Sequence, residues 1–144
     1  VRNEKIITQI HDLIKVALKR KSINDAFVNI GVPNKISIQY ILKEMNIDVS
    51  NFKFVIDEAT IRHIYKEHGP GSKDEIELSI EDFNLLPQLV SNPDVIILGK
   101  HKTKIPRIVL AIKKNKDFVA VECIVEIRKG RMKLAVVTFY KKSL

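Results

Sequence analysis

The sequence is poor in residues that several large classes of function depend on. Its single cysteine, Cys123, excludes an intramolecular disulfide framework and any cysteine-rich zinc site. That residue sits in an alternating apolar run and reads as a buried core thiol. With five glycines in the whole chain, a loop that cradles phosphate has little to be built from. None of the patterns GxxxxGK(S/T), GxGxxG or GxSxG occurs. Tryptophan is absent and aromatic residues are 6% of the chain, with no aromatic strand pair of the kind that stacks RNA bases. No apolar run nears the length of a membrane span, and none of the 144 residues is expected to serve as a secretory leader. The acidic residues do not gather around a Mg²⁺ site either, because they concentrate between residues 74 and 82.

What is present begins with size and charge. At 144 residues and 45% hydrophobic, the chain suits a globular unit with one buried core. Its first residue is Val1 rather than methionine, so it is expected to be an excised piece of a longer protein, its C-terminal end. The net charge of +8 is unevenly spread. Residues 1–57 carry +3, residues 58–94 carry −5 and residues 95–144 carry +10. A segment that basic attracts polyanions, of which nucleic acid is the most common soluble one. A solvated lysine-rich surface would show the same count.

Hydrophobic periodicity divides the chain into helices first and strands afterwards. Ile6, Ile7, Ile10, Leu13, Ile14, Ala17 and Leu18 form one stripe, which predicts a helix over 4–20 with Asn3 as N-cap. A second helix is expected over Ile23–Ile30, capped by Ser22 and stopped by Gly31 and Pro33, and a third over Ile36–Met45. Phe52–Ile56 reads as a strand and Glu58–His68 as a helix that ends at Gly69-Pro70-Gly71. A further helix over Ile80–Val90 should be shortened or kinked by Pro87. Four strands then follow at Val95–Lys100, Ile105–Lys113, Asp117–Ile127 and Met132–Lys141, with connections short enough for an antiparallel meander. The expected class is α+β, with a helical part over 1–50 and a core of helix plus four-stranded antiparallel sheet over 51–144.

Alternation sorts the faces of that sheet. Val119, Val121, Cys123, Val125 and Ile127 share one side, and Glu122, Glu126 and Arg128 the other. A three-residue hairpin loop with Gly130 in the left-handed position would set Ala135, Val137 and Phe139 on the apolar side. Thr138 and Tyr140 would then join Glu122, Glu126 and Arg128 on a polar face. Such a face is also what the solvent side of any half-covered sheet looks like.

The helix Ile61-Arg62-His63-Ile64-Tyr65-Lys66-Glu67-His68-Gly69 holds two of the four histidines. Zinc-binding helices space histidines four apart. Five apart turns them about 140° from one another, so these two cannot share a metal ion. His68 falls at the edge of the buried side near the helix C-terminus, where the macrodipole favours imidazolium. His63 projects away from it. Proton transfer during metal-free RNA cleavage suits histidine, and Lys, Arg, Thr and Tyr suit the phosphate. His101 lies among lysines in the basic loop 99–104 and reads as a loop residue.

The His-Ile-x-x-x-x-His helix, Ser91-Asn92-Pro93-Asp94, the strand Val95–Leu98, the Glu-x-x-x-Glu-x-Arg strand and the closing Val-Val-Thr-Phe-Tyr-Lys-Lys resemble the Barnase–EndoU–colicin–RelE superfamily. Its phage and toxin-associated members are the nearest in pattern, over about residues 50–142. The resemblance implies a helical part on a four-stranded antiparallel sheet and an endoribonuclease that works without metal or other cofactor, often on tRNA. It also implies a C-terminal toxin domain of a larger secreted or phage-encoded protein, acting in the cytoplasm of a target cell. There it would be neutralised by a cognate immunity protein and could engage a target-cell protein. No membrane partner is implied.

Carried onto this chain, the catalytic candidates are His63, His68, Thr138, Tyr140 and Arg128. Lys66, Lys100, Lys102, Lys104, Arg107 and Lys113 are the RNA-binding candidates. Which histidine is base and which is acid stays open. The alternative is a basic nucleic-acid-binding module without catalysis.

Overall fold

The computed structural model describes residues 3–19, 26–74, 76–99, 105–128 and 131–143. Helix α1 (Glu4–Lys19) buries the stripe Ile10, Leu13, Ile14 and Ala17. Strand β1 (Phe27–Gly31) stands where a second helix is expected. Its burial alternates with period two: Val28 and Ile30 point inward while Phe27 and Asn29 are exposed. That half-buried, uncharged pentapeptide gains a ladder with β2, which outweighs its weak helical pattern. Residues 20–25, with the expected Ser22 cap, lie outside the described residues.

Helix α2 (Lys35–Met45) starts where the Asn34 side chain accepts the Ser37 N–H at 2.8 Å, and it ends at Asn46 in the left-handed region, φ 57°. Strand β2 (Lys53–Asp57) runs directly into α3 (Glu58–His68), whose N-cap Asp57 accepts the Thr60 N–H at 2.8 Å. α3 stops at Gly69, where any side chain would run into the Tyr65 carbonyl. The helix expected over Ile80–Val90 is two pieces, a 3₁₀ helix Ile80–Leu85 and α4 (Leu86–Ser91). Pro87 lies in the first turn of α4, where its missing N–H costs no helical hydrogen bond.

Strands β3 (Val95–Gly99), β4 (Arg107–Lys114), β5 (Asp117–Arg128) and β6 (Arg131–Ser143) form the expected antiparallel meander. The sheet is larger than four strands. β1 and β2 extend it to the order β1-β2-β6-β5-β4-β3, and β2 runs parallel to β6. The class is α+β with a mixed six-stranded sheet. One core joins Ile10 and Ile14 of α1, Ile41 of α2, Ile61 and Ile64 of α3, Leu89 of α4 and the inner face of the sheet.

The phase of β6 differs from the expected one. Arg128 pairs with Arg131, so only two residues separate the strands, and residues 129–130 are outside the described set. Leu134 and Val136, rather than Ala135 and Val137, therefore face the core opposite Val125 and Cys123. The register then shifts: Cys123 pairs with Val136, but Glu122 pairs with Thr138. Val137 is the extra residue of a β-bulge. Beyond it Phe139 pairs with Val121 in the core, and Thr138 and Tyr140 turn to the opposite face, where Thr138 is covered and Tyr140 half-buried.

Candidate active site

The end of α3 and the re-phased half of β6 bring the site together. β2 pairs with β6 only over Lys133–Ala135, and α3, which follows β2, packs against β6 as well. Its last residue, His68, lies over Tyr140 with ring centroids 5.5 Å apart and planes tilted by 41°. The His68 Nδ1 is 2.6 Å from the Asp74 Oδ2. Asp74 belongs to a loop that folds back on the helix: the Leu78 N–H donates to the His68 carbonyl at 2.7 Å, and the Asp74 N–H to the Ser72 hydroxyl at 3.4 Å. Gly71 permits the reversal with φ 81°.

The Tyr140 hydroxyl donates to the Glu122 Oε2 at 2.7 Å, and the Arg107 Nη1 donates to the other oxygen, Oε1, at 3.1 Å. Both oxygens of one carboxylate are thereby held, and the Arg107–Glu122 pair is well shielded, at 22% and 18% side-chain exposure. Register explains the meeting. Glu122 lies between Val109 of β4 and Thr138 of β6, and Arg107 enters two residues before Val109 on the same side. Burial pushes the Tyr140 phenol well above its ordinary range, the hydrogen bond and charge of Glu122 push it further, and Arg107 opposes them. Tyr140 is thus a neutral donor. The Thr138 Oγ1, beside Glu122, is buried and has no hydrogen-bond partner among the described residues. It is a donor in reserve for a ligand atom.

The expected residues divide as follows. His68, Tyr140, Thr138 and Arg107 come together, Arg107 in a more central place than a general RNA contact. His63 is exposed on α3, and Lys66 is exposed there too. Arg128 is exposed at the end of β5, six residues from Glu122 and so about 20 Å away along the strand. Its place beside the carboxylate is taken by Arg107, because adjacency across a ladder counts for more than a shared strand face. Lys113 is exposed on β4, at the opposite end from Arg107. Lys100, Lys102 and Lys104, like His101, lie outside the described residues. Asp74 and Glu122 were missed as site residues. Nothing local marks Asp74 among its acidic neighbours, whereas Glu122 is one of only three acids in the +10 segment and shares the face of Tyr140, which was a usable signal for it. No three His, Cys, Asp or Glu side chains among the described residues gather as metal ligands.

The model of one protein family, described as phage-Barnase-EndoU-ColicinE5/D-RelE like nuclease3, matches residues 32–144. The match begins just before α2, earlier than the residue-level resemblance, and leaves α1 and β1 outside it. No curated protein and no solved structure matches the chain.

Proposed function

The chain belongs to the phage Barnase–EndoU–colicin–RelE-like nuclease family, and on that premise we propose that it is an endoribonuclease that cuts RNA, tRNA in particular, without a metal ion. The observation that carries this reading is the convergence of the His68–Asp74 pair, Tyr140, Glu122 and Arg107 on one open sheet face. Attack of a ribose 2′-OH on its own 3′ phosphate forms the O2′–P bond and breaks the P–O5′ bond. One group must take the proton from O2′ and another must give a proton to O5′. His68, with Nδ1 engaged by Asp74, keeps Nε2 for proton exchange, and Glu122 offers a carboxylate that can accept a proton.

Arg107 keeps N–H donors beyond the one spent on Glu122, and a phosphoryl oxygen arriving beside that pair and the Tyr140 hydroxyl meets them. The products are a 2′,3′-cyclic phosphate and a 5′-hydroxyl. The charge of +8 suits a polyanionic partner. In the same reading the chain is the toxin part of a larger secreted or phage-encoded protein, active in the cytoplasm of a target cell and restrained by a cognate immunity protein.

The test is incubation with total tRNA in EDTA, beside His68→Ala and Glu122→Gln variants. Discrete fragments ending in cyclic phosphate, from the unmodified chain alone, are expected. Fragments with 3′-hydroxyl ends, formed only with Mg²⁺, would overturn the mechanism. Tight RNA binding without cleavage would favour the non-catalytic module.

A further inference from the structure

The open face of the sheet continues beyond the catalytic cluster. Two rungs past the Ala111–Ala120–Tyr140 row, β4, β5 and β6 place Lys113, Phe118 and Lys142 side by side: Lys113 pairs with Phe118, and Phe118 with Lys142. Cross-strand partners project from the same face, and a two-residue step along a strand keeps that face. All three therefore share the side that presents Tyr140, about 7 Å further along. Both lysines are exposed and the ring between them is half-buried. Neither lysine makes an ion pair among the described residues, although Lys133 and Lys141 of the same strand do. The Asp94 carboxylate accepts the Lys113 backbone N–H at 2.9 Å and leaves the ammonium without an ion pair among the described residues. An aromatic side chain on the solvent side of a sheet, with a lysine on each flank, contributes little to the core. It matches what an unpaired nucleotide requires: a π-surface for the base and positive charge for the phosphates beside it.

We propose that Phe118, with Lys113 and Lys142, is a subsite for an unpaired nucleotide next to the scissile phosphate, the base on the Phe118 ring and the flanking phosphates at the two lysines. The subsite rests on the reading of the neighbouring cluster as a ribonuclease centre, and it deepens that reading by defining the substrate as single-stranded. A base in a duplex keeps its faces stacked on its neighbours and cannot lie on the ring. Loops and unpaired ends of a structured RNA are therefore the segments this face accepts. Stacking is tolerant of sequence, so the subsite selects strandedness rather than base identity.

Binding can be measured apart from cleavage with a fluorescent 12-nucleotide RNA that is 2′-O-methylated throughout and so lacks the attacking hydroxyl. Anisotropy titrations compare the full chain with Phe118→Leu, Phe118→Trp and a Lys113→Gln/Lys142→Gln double variant. Phe118→Leu keeps apolar bulk without the π-face, and it should weaken binding roughly 5- to 150-fold, the range for loss of one base–aromatic stack. Phe118→Trp should restore it. The double lysine variant should flatten the dependence of log K on log salt by about 1.4, at about 0.7 for each phosphate no longer neutralised. The same strands annealed into a duplex should bind more weakly to the unmodified chain.

Equal affinity for Phe118→Leu and the unmodified chain, or equal affinity for duplex and single strand, would overturn the subsite. Because the probe cannot be cleaved, either result stands whether or not the tRNA assay shows cleavage. An inactive chain that still discriminates at Phe118 would instead remove the ribonuclease reading and keep the single-strand site.

Discussion

The two halves of β6 differ although they are one strand. Before Val137, Leu134 and Val136 fill the core and β2 lies alongside in parallel. After Val137, Phe139 still fills the core, but Thr138 and Tyr140 carry polar groups on the open face, and α3 delivers His68 to their side. Without the extra residue, a strand with Leu134 and Val136 inward would also turn Thr138 and Tyr140 inward, and Phe139 outward. One inserted residue thus lets a single strand serve a packed core and a polar site, which is a recurrent use of bulges beside active sites.

Deleting Val137 should have the largest effect. It forces either Phe139 out of the core or Leu134 and Val136 out of it. Moving one large apolar residue out costs about 3–5 kcal/mol, a large share of the roughly 5–15 kcal/mol that holds a domain folded, and the deletion also breaks the β5–β6 ladder around it. Loss of the cooperative thermal transition is expected by circular dichroism, and a retained transition within a few degrees would show that the bulge is dispensable. Leu134→Ala acts on the first half alone. It should cost about 2–5 kcal/mol in denaturant titration and leave cleavage per folded molecule unchanged.

The second half should show the reverse pattern. His68→Ala should lower cleavage by about 10²–10⁴-fold, the usual range for a lost proton-transfer group. His63→Ala, exposed on the same helix, should remain within about twofold. Tyr140→Phe removes the donor to Glu122, with an expected loss of about 10²-fold in kcat and only about 1–2 kcal/mol in stability. A loss confined to KM would mean that the hydroxyl only binds.

The smallest effect is alkaline. Cys123, opposite Val136, and Tyr140 both hold their protons more tightly in the folded chain. Burial pushes the thiol up, and burial with Glu122 pushes up the phenol. Below the ordinary thiol range, about pH 8.5, neither affects stability. Above it the unfolded chain releases the thiol proton first, so stability falls with rising pH, and it falls more steeply once phenols ionise near pH 10. Cys123→Ala should remove the first loss and Tyr140→Phe the second, read as the slope of denaturation midpoint against pH. Identical slopes in both variants and the unmodified chain would contradict the burial of these groups.

Much of this arrangement was legible beforehand. α1, α2, α3 and the four-strand meander follow from apolar periodicity and from caps that act within a few residues, such as Asp57 and Gly69. β1 was misread because five residues are too few for period to separate helix from strand, and its ladder partner is nearly thirty residues away. The bulge had a local trace. Leu134, Val136, Val137 and Phe139 contain an apolar doublet where alternation should hold. Expecting a three-residue loop absorbed that doublet into the wrong phase. Residue type and strand face single out His68 and Tyr140 as candidates, whereas the contacts of Asp74 and Arg107 depend on partners distant in the chain.

Order along the chain, helix ends, the basic C-terminal third and the residue types for proton transfer were determined locally, by interactions that span one or two turns or a strand's own alternation. Tertiary structure decided which histidine meets a tyrosine, which arginine holds Glu122 and on which face Thr138 lies. Those outcomes depend on register between strands and on where α3 ends over β6. Register is set by the packing of Leu134, Val136 and Phe139 into one core, a constraint that no segment carries by itself.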